Sequence, residues 1–147
     1  MQMLSRIARE LNWTIDAYCL MTNHYHLVLE SDTRAVSFGM QRLNAGYAQW
    51  FNRRHALSGH LFRHRFYAGV VSGEAHLLEL LRYIALNPVR GGLCTSPESW
   101  EWSSYTLLVT GASSGMVSTR ALYYFSREMT KAREAFRTFV EDGLLAA

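Results

Sequence analysis

Two histidines, His24 and His26, stand two apart with Asn23 before them and Tyr25 between them. On a β-strand, side chains alternate between faces, so both imidazoles leave the same face. They can then reach one divalent cation. Two ligands do not hold a metal. Imidazole completed by oxygen donors, with positions left open, suits Mg²⁺ or Mn²⁺ assisting phosphoryl chemistry. The same spacing also arises from two histidines bonded to backbone or packed in a sheet. The second candidate pair is Tyr83 and Asn87. At i and i+4 of a helix they are neighbours on one face. Leu77, Leu81 and Ile84 mark the buried stripe, and Tyr83 lies off it. A phenol so placed is available as a covalent nucleophile, with Asn87 offering an oxygen to a metal. A half-buried tyrosine and a helix-ending asparagine before Pro88 would give the same pattern.

These groups need elements to hold them. Leu4, Ile7, Ala8 and Leu11 share one face of a helix over 3–12. Residues 13–21 and 24–30 read as a β-hairpin turning at Thr22-Asn23, with Trp13, Ile15, Ala17, Cys19 and Met21 on one side. Ser31-Asp32-Thr33 signals a helix start, and the helical spacing then runs to about Arg54. Trp50 and Phe51 read there as core rather than as a stacking surface. Residues 60–71 read as extended, with a strand around 65–71 presenting Arg63 and Arg65 on one face. Ser72 caps a helix over 74–86, which Asn87-Pro88 ends, because a residue before proline avoids helical geometry. A short helical or irregular piece follows at 97–106, then a flexible loop at 111–115. Two C-terminal helices follow at 118–125 and 127–141, with Tyr123-Tyr124 as packing residues. The class is α+β, a small antiparallel sheet covered by helices. The organisation is a domain over 1–110 that carries both candidate pairs and a helical extension over 111–147.

Composition narrows the partners. At 147 residues, 49% hydrophobic, the chain suits one globular domain. No apolar window is long enough to cross a membrane, and Arg6, Arg9 and Glu10 interrupt any secretory signal. Cys19 and Cys94 lie far apart with no C-x-x-C, which fits a reducing cytoplasm. From Thr33 to Gly73 there is no Asp or Glu, while six arginines, three histidines and seven aromatics occur. Arginine forks suit phosphates and aromatic faces suit unpaired bases. Arg53, Arg54, Arg63, Arg65 and His64 are the candidate DNA contacts. A solvated basic face over core aromatics would look alike.

Four ordered motifs add a resemblance. Tyr18–Val28 (YCLMTNHYHLV), Gly59–Phe66 (GHLFRHRF), Arg82–Arg90 (RYIALNPVR) and Trp100–Tyr105 (WEWSSY) resemble the single-tyrosine, His-hydrophobic-His transposases, and within them the REP-associated tyrosine transposases. The likeness covers residues 13–106. It implies a ferredoxin-like antiparallel sheet and cleavage and rejoining of single-stranded DNA, often beside a hairpin. By this likeness Tyr83 is the nucleophile, forming a 5′-phosphotyrosine, and His24, His26 and Asn87 hold Mg²⁺ or Mn²⁺. Asn87 stands where some relatives carry Gln, and Thr22 where they often carry Pro.

Relatives also open with an additional, central strand, whereas this chain starts almost directly in its first helix. An absent strand would leave neighbouring backbone groups open. A remodelled segment of chain is expected to cover them, or a partner in a homodimer formed by strand or domain exchange. The alternative to a nicking and joining enzyme is a hairpin DNA- or RNA-binding protein with weakened catalysis. A different H-x-H hydrolase fits less well, since no third His or Asp follows at short spacing and the chain is too short for an α/β barrel.

Overall fold

The computed structural model describes residues 1–112 and 115–145, so Ser113 and Ser114 of the loop expected at 111–115 lie outside the described residues. The chain divides into two units, each drawn from two stretches: Met1–Trp13 with Glu30–Val70, and Thr14–Leu29 with the chain from Val71 onward.

In the first unit, α1 (Gln2–Glu10) buries Leu4, Ile7 and Ala8, the apolar face its spacing predicts. It packs on α2 (Thr33–His55). The Asp32 carboxylate caps α2 by accepting from the Ala35 N–H at 2.8 Å. Gly39 makes the approach to α2 close. A β-carbon there would stand 2.7 Å from Leu11 Cδ1 and inside contact distance of the Trp13 ring. α2 ends at Ala56, whose backbone is left-handed (φ 51°).

The strand predicted around 65–71 does not form. Residues 57–72 carry no helix or strand. Residues 63–65 and 67–70 are all exposed rather than alternately buried. Without an inward face or a neighbouring strand, water satisfies this backbone as well as a ladder would. Arg63 and Arg65 therefore do not line a strand face. They stand on an exposed irregular segment.

In the second unit, β1 (Thr14–Leu20) and β2 (Tyr25–Glu30) form the antiparallel hairpin. The Met21 N–H closes its turn on the His24 carbonyl at 2.8 Å. β1 is buried on both faces from Ile15 to Cys19, not on one. Ala17 and Cys19 join the apolar core. On the other face Asp16 is only 2% exposed, and its two oxygens accept from Arg120 Nε and Nη2, each at 2.8 Å. The open backbone expected beside a missing strand is met by the chain itself. Leu20 N–H bonds Trp102 O, Ser104 N–H bonds Tyr18 O, and Ser118 N–H bonds Ile15 O, at 2.7–2.9 Å. Trp100 Nε1 adds a bond to Leu20 O at 2.9 Å.

Helix α3 (Gly73–Arg90) does not stop at Asn87-Pro88. A proline inside a helix costs about 3 kcal/mol. Burial of Leu81, Ile84 and Leu86 offsets that at roughly 1.5–3 kcal/mol per large apolar side chain, and Pro88 is itself buried. The helix ends instead at Gly91, whose N–H reaches Asn87 O at 2.8 Å. Ser72 occupies the capping position without a side-chain cap. Its N–H donates to His76 Nδ1 at 3.1 Å.

Beyond α3 come 3₁₀ turns at Pro97–Ser99 and Arg120–Tyr124, with α4 (Tyr105–Thr110) between them and α5 (Met129–Leu145) after them. Leu81, Leu86, Tyr105, Leu122, Phe136 and Val140 fill this unit's core. Tyr123 and Tyr124 are exposed, not packed, because the 3₁₀ turn spends its inward positions on Ala121 and Leu122. The class is thus α+β, a two-stranded antiparallel sheet packed against helices, with additional C-terminal helices. Among the described residues no helix is long and apolar enough to cross a membrane.

The Asp16–Arg120 pair carries a stability expectation. Removing one partner of a buried pair strands the other charge, at about 3–5 kcal/mol. Arg120→Ala leaves the Asp16 carboxylate buried alone, so it is expected to fall near the lower end of that range. Asp16→Asn removes the buried charge itself and should cost clearly less. Urea unfolding of both variants checks the order; equal losses would contradict it.

Candidate active site

The second unit brings His24, His26, Tyr83 and Asn87 together. His24 and His26 leave β2 and its approach on one face, with ring centres 4.9 Å apart at an interplanar angle of 89°. The Tyr83 ring meets the edge of His26, centre to centre 5.5 Å, at 84°. Tyr83 is 44% exposed, so its hydroxyl face stays open to a substrate. Asn87, one turn further along α3, bears on the His26 ring.

The helix that carries Tyr83 is braced from α5. The Arg82 guanidinium lies 4.5 Å from the centre of the Phe139 ring, and Arg90 Nη2 donates to Gly143 O at 3.1 Å. Gly143 has no room for a β-carbon, which would stand 2.8 Å from Arg82 Cδ and Leu86 Cδ1. Sequence patterning placed this helix at 127–141 but not its contact with α3.

Each imidazole is prepared differently. His24 Nδ1 lies 2.8 Å from Asn23 Oδ1. An amide oxygen only accepts, so this contact favours the tautomer with the proton on Nδ1 and the lone pair on Nε2. The sequence placed Asn23 before the pair without giving it a role; an amide side chain in a turn directly beside a histidine was the available signal. Burial pushes the His26 pKa below its ordinary value, the neighbouring His24 pushes it further, and the nearby Asn87 side chain opposes the shift. His26 is thus neutral at neutral pH, the form that binds metals. Its Nε2 is buried with no hydrogen-bond partner; the Asn87 side chain does not reach bonding geometry with that atom. Leaving such a nitrogen unsatisfied costs about 1–3 kcal/mol, which a ligand at that position would recover.

A divalent cation fits these residues. The donors that would hold one are two imidazole nitrogens and the amide oxygen of Asn87; among the described residues, no three His, Cys, Asp or Glu side chains cluster to hold a metal by themselves. Cys19 on the adjacent strand is no competing nucleophile, since burial pushes its thiol up to about 11.

The five candidate DNA contacts belong to the first unit. Arg53 and Arg54 close α2, and Arg63, His64 and Arg65 follow in the irregular segment. All five are exposed, and none pairs with an acidic side chain among the described residues.

The family model of IS200-like transposases matches residues 1–87, more than half of the chain. The chain belongs to that family. The matched span of this IS200-like transposase holds the basic segment, both histidines, Tyr83 and Asn87. The Trp100–Tyr105 motif and the C-terminal helices lie beyond it. A DNA-processing function of the transposase type follows from membership. No curated protein and no solved structure matches the chain.

Proposed function

We propose that this IS200-like transposase is a REP-associated, single-tyrosine enzyme that nicks and rejoins single-stranded or hairpin DNA. The observation that carries this reading is the Tyr83 ring set edge-on against His26, itself beside His24. A nucleophile-type phenol and two imidazoles, brought from a helix and a strand, suit transfer of a phosphoryl group.

In the proposed reaction the Tyr83 hydroxyl oxygen attacks a backbone phosphorus of the DNA. A bond forms from that oxygen to phosphorus, and the bond from phosphorus to the 3′-bridging oxygen breaks. The phenolic proton passes to solvent, and the leaving 3′ oxygen takes up a proton to become a free 3′-OH. The 5′ end stays on Tyr83 as a phosphotyrosine. Because one phosphodiester replaces another, a 3′-OH can attack in turn, release Tyr83 and rejoin the strand without ATP. His24, His26 and Asn87 would hold Mg²⁺ or Mn²⁺. The cation, when bound, supplies electrostatic stabilisation of charge on the phosphate and leaving oxygens. Asn23 keeps the His24 lone pair on Nε2. Arg53, Arg54, Arg63, His64 and Arg65 supply phosphate contacts that hold the strand.

End-labelled single-stranded DNA incubated with the protein and Mn²⁺ tests this. A labelled, protein-linked band on a denaturing gel is the expected result. A mobility shift on a native gel without any covalent band would leave a DNA-binding protein and overturn the enzymatic reading.

A further inference from the structure

Helix α2 holds three large rings that the fold leaves open: Phe38 is 53% exposed, Tyr47 43% and Trp50 50%. This corrects the sequence expectation that Trp50 is core. Helical spacing places Tyr47 and Trp50 on one face, and their rings lie 5.6 Å apart at 33°. The ring of Phe62, from the segment after α2, stands 6.2 Å from that of Tyr47. One turn beyond Trp50, the Arg54 guanidinium lies 5.7 Å from the indole centre. Arg42 lies 5.5 Å from the Phe38 ring in the same manner, though Glu10 also engages it at 2.6 Å.

An exposed aromatic surface marks a partner. The charge on this one selects it. No acidic residue occurs from Thr33 to Gly73. A second copy of the same face would bring arginines against arginines. A duplex would offer phosphates but keep its base faces stacked inside. Single-stranded DNA offers both phosphates and open base faces, and it meets rings and guanidinium groups together.

We propose that Trp50, with Tyr47 beside it and Arg54 over it, is a stacking platform for unpaired bases of single-stranded DNA, Arg54 also engaging the adjoining phosphate. This rests on the DNA-processing reading but not on the chemistry at Tyr83.

The test uses the full chain carrying Tyr83→Phe, so cleavage plays no part. Fluorescence anisotropy reads its binding to a labelled oligo-dT strand and to a duplex of equal charge. Trp50→Ala is expected to weaken oligo-dT binding about 5- to 150-fold, the cost of one lost base–aromatic stack. Duplex affinity should not change, and Trp50→Phe should restore most of the loss. Trp50→Leu keeps apolar bulk for folding and should lose as much as Trp50→Ala. Abasic sites through the strand should erase the difference between parent and variants. Parental affinity in Trp50→Ala and Trp50→Leu would overturn the platform. So would equal losses on duplex, tighter binding of RNA of the same sequence, or a dimer that dissociates on Trp50→Ala in sedimentation. A parent that binds neither DNA form would instead overturn the DNA-processing reading itself.

Discussion

Tyr83→Phe is expected to end DNA cleavage while leaving DNA affinity intact. The substitution removes one oxygen and keeps the ring that packs against His26, so the fold has no reason to move. Loss of a covalent nucleophile costs on the order of 10⁴-fold or more in rate. Nearby alternatives are poor. The Cys19 thiol is buried and protonated. Tyr123 and Tyr124 are exposed on a separate 3₁₀ turn, without an imidazole pair in ring contact. Single-turnover cleavage and anisotropy measured on the same preparation separate the two effects. Residual cleavage within tenfold of the parent would remove Tyr83 from the chemistry.

The second large effect is expected from His26→Ala. The change removes the buried, unpartnered Nε2 and the edge contact to Tyr83. Cleavage should fall by about 10²- to 10³-fold, the scale on which loss of one electrostatic stabiliser is felt. Removing the divalent ion from the parent with EDTA should reproduce that loss, and adding Mn²⁺ should reverse it in the parent only. DNA affinity should hold, since the proposed basic contacts belong to the other unit. Folding stability should respond to pH with a definite sign. The folded His26 ring binds its proton less tightly than the unfolded one. Acidification through the ordinary imidazole value of 6.5 therefore favours the unfolded chain, and this penalty should be smaller in His26→Ala. Cleavage by His26→Ala at the parental rate in Mn²⁺ would remove the metal role.

Much of the site is legible locally, and the failures share one cause. A period of two puts His24 and His26 on one strand face, and a spacing of four puts Tyr83 and Asn87 on one helix face. Both rules need only the chain's own geometry. That the two faces meet is a tertiary fact, which the sequence offered only through resemblance. Pro88 misled because its rule is local, whereas burial of the α3 face comes from distant residues. The burial of Asp16 was not legible in the alternation of β1, since its partner Arg120 lies 104 residues away. Trp50 failed in the opposite sense. Helical spacing says which residues share a face, not whether anything covers it. The 65–71 segment has strand-forming residues but no neighbour to pair with.

The most direct measurement is the identity of the residue that carries DNA after cleavage. The covalent product is digested with nuclease and trypsin and read by tandem mass spectrometry. The expected result is a nucleotide phosphate on Tyr83 in the peptide ending at Arg90. A nucleotide mapped to Tyr123, Tyr124 or any other side chain, or strand cleavage with no protein-linked product at all, would contradict it.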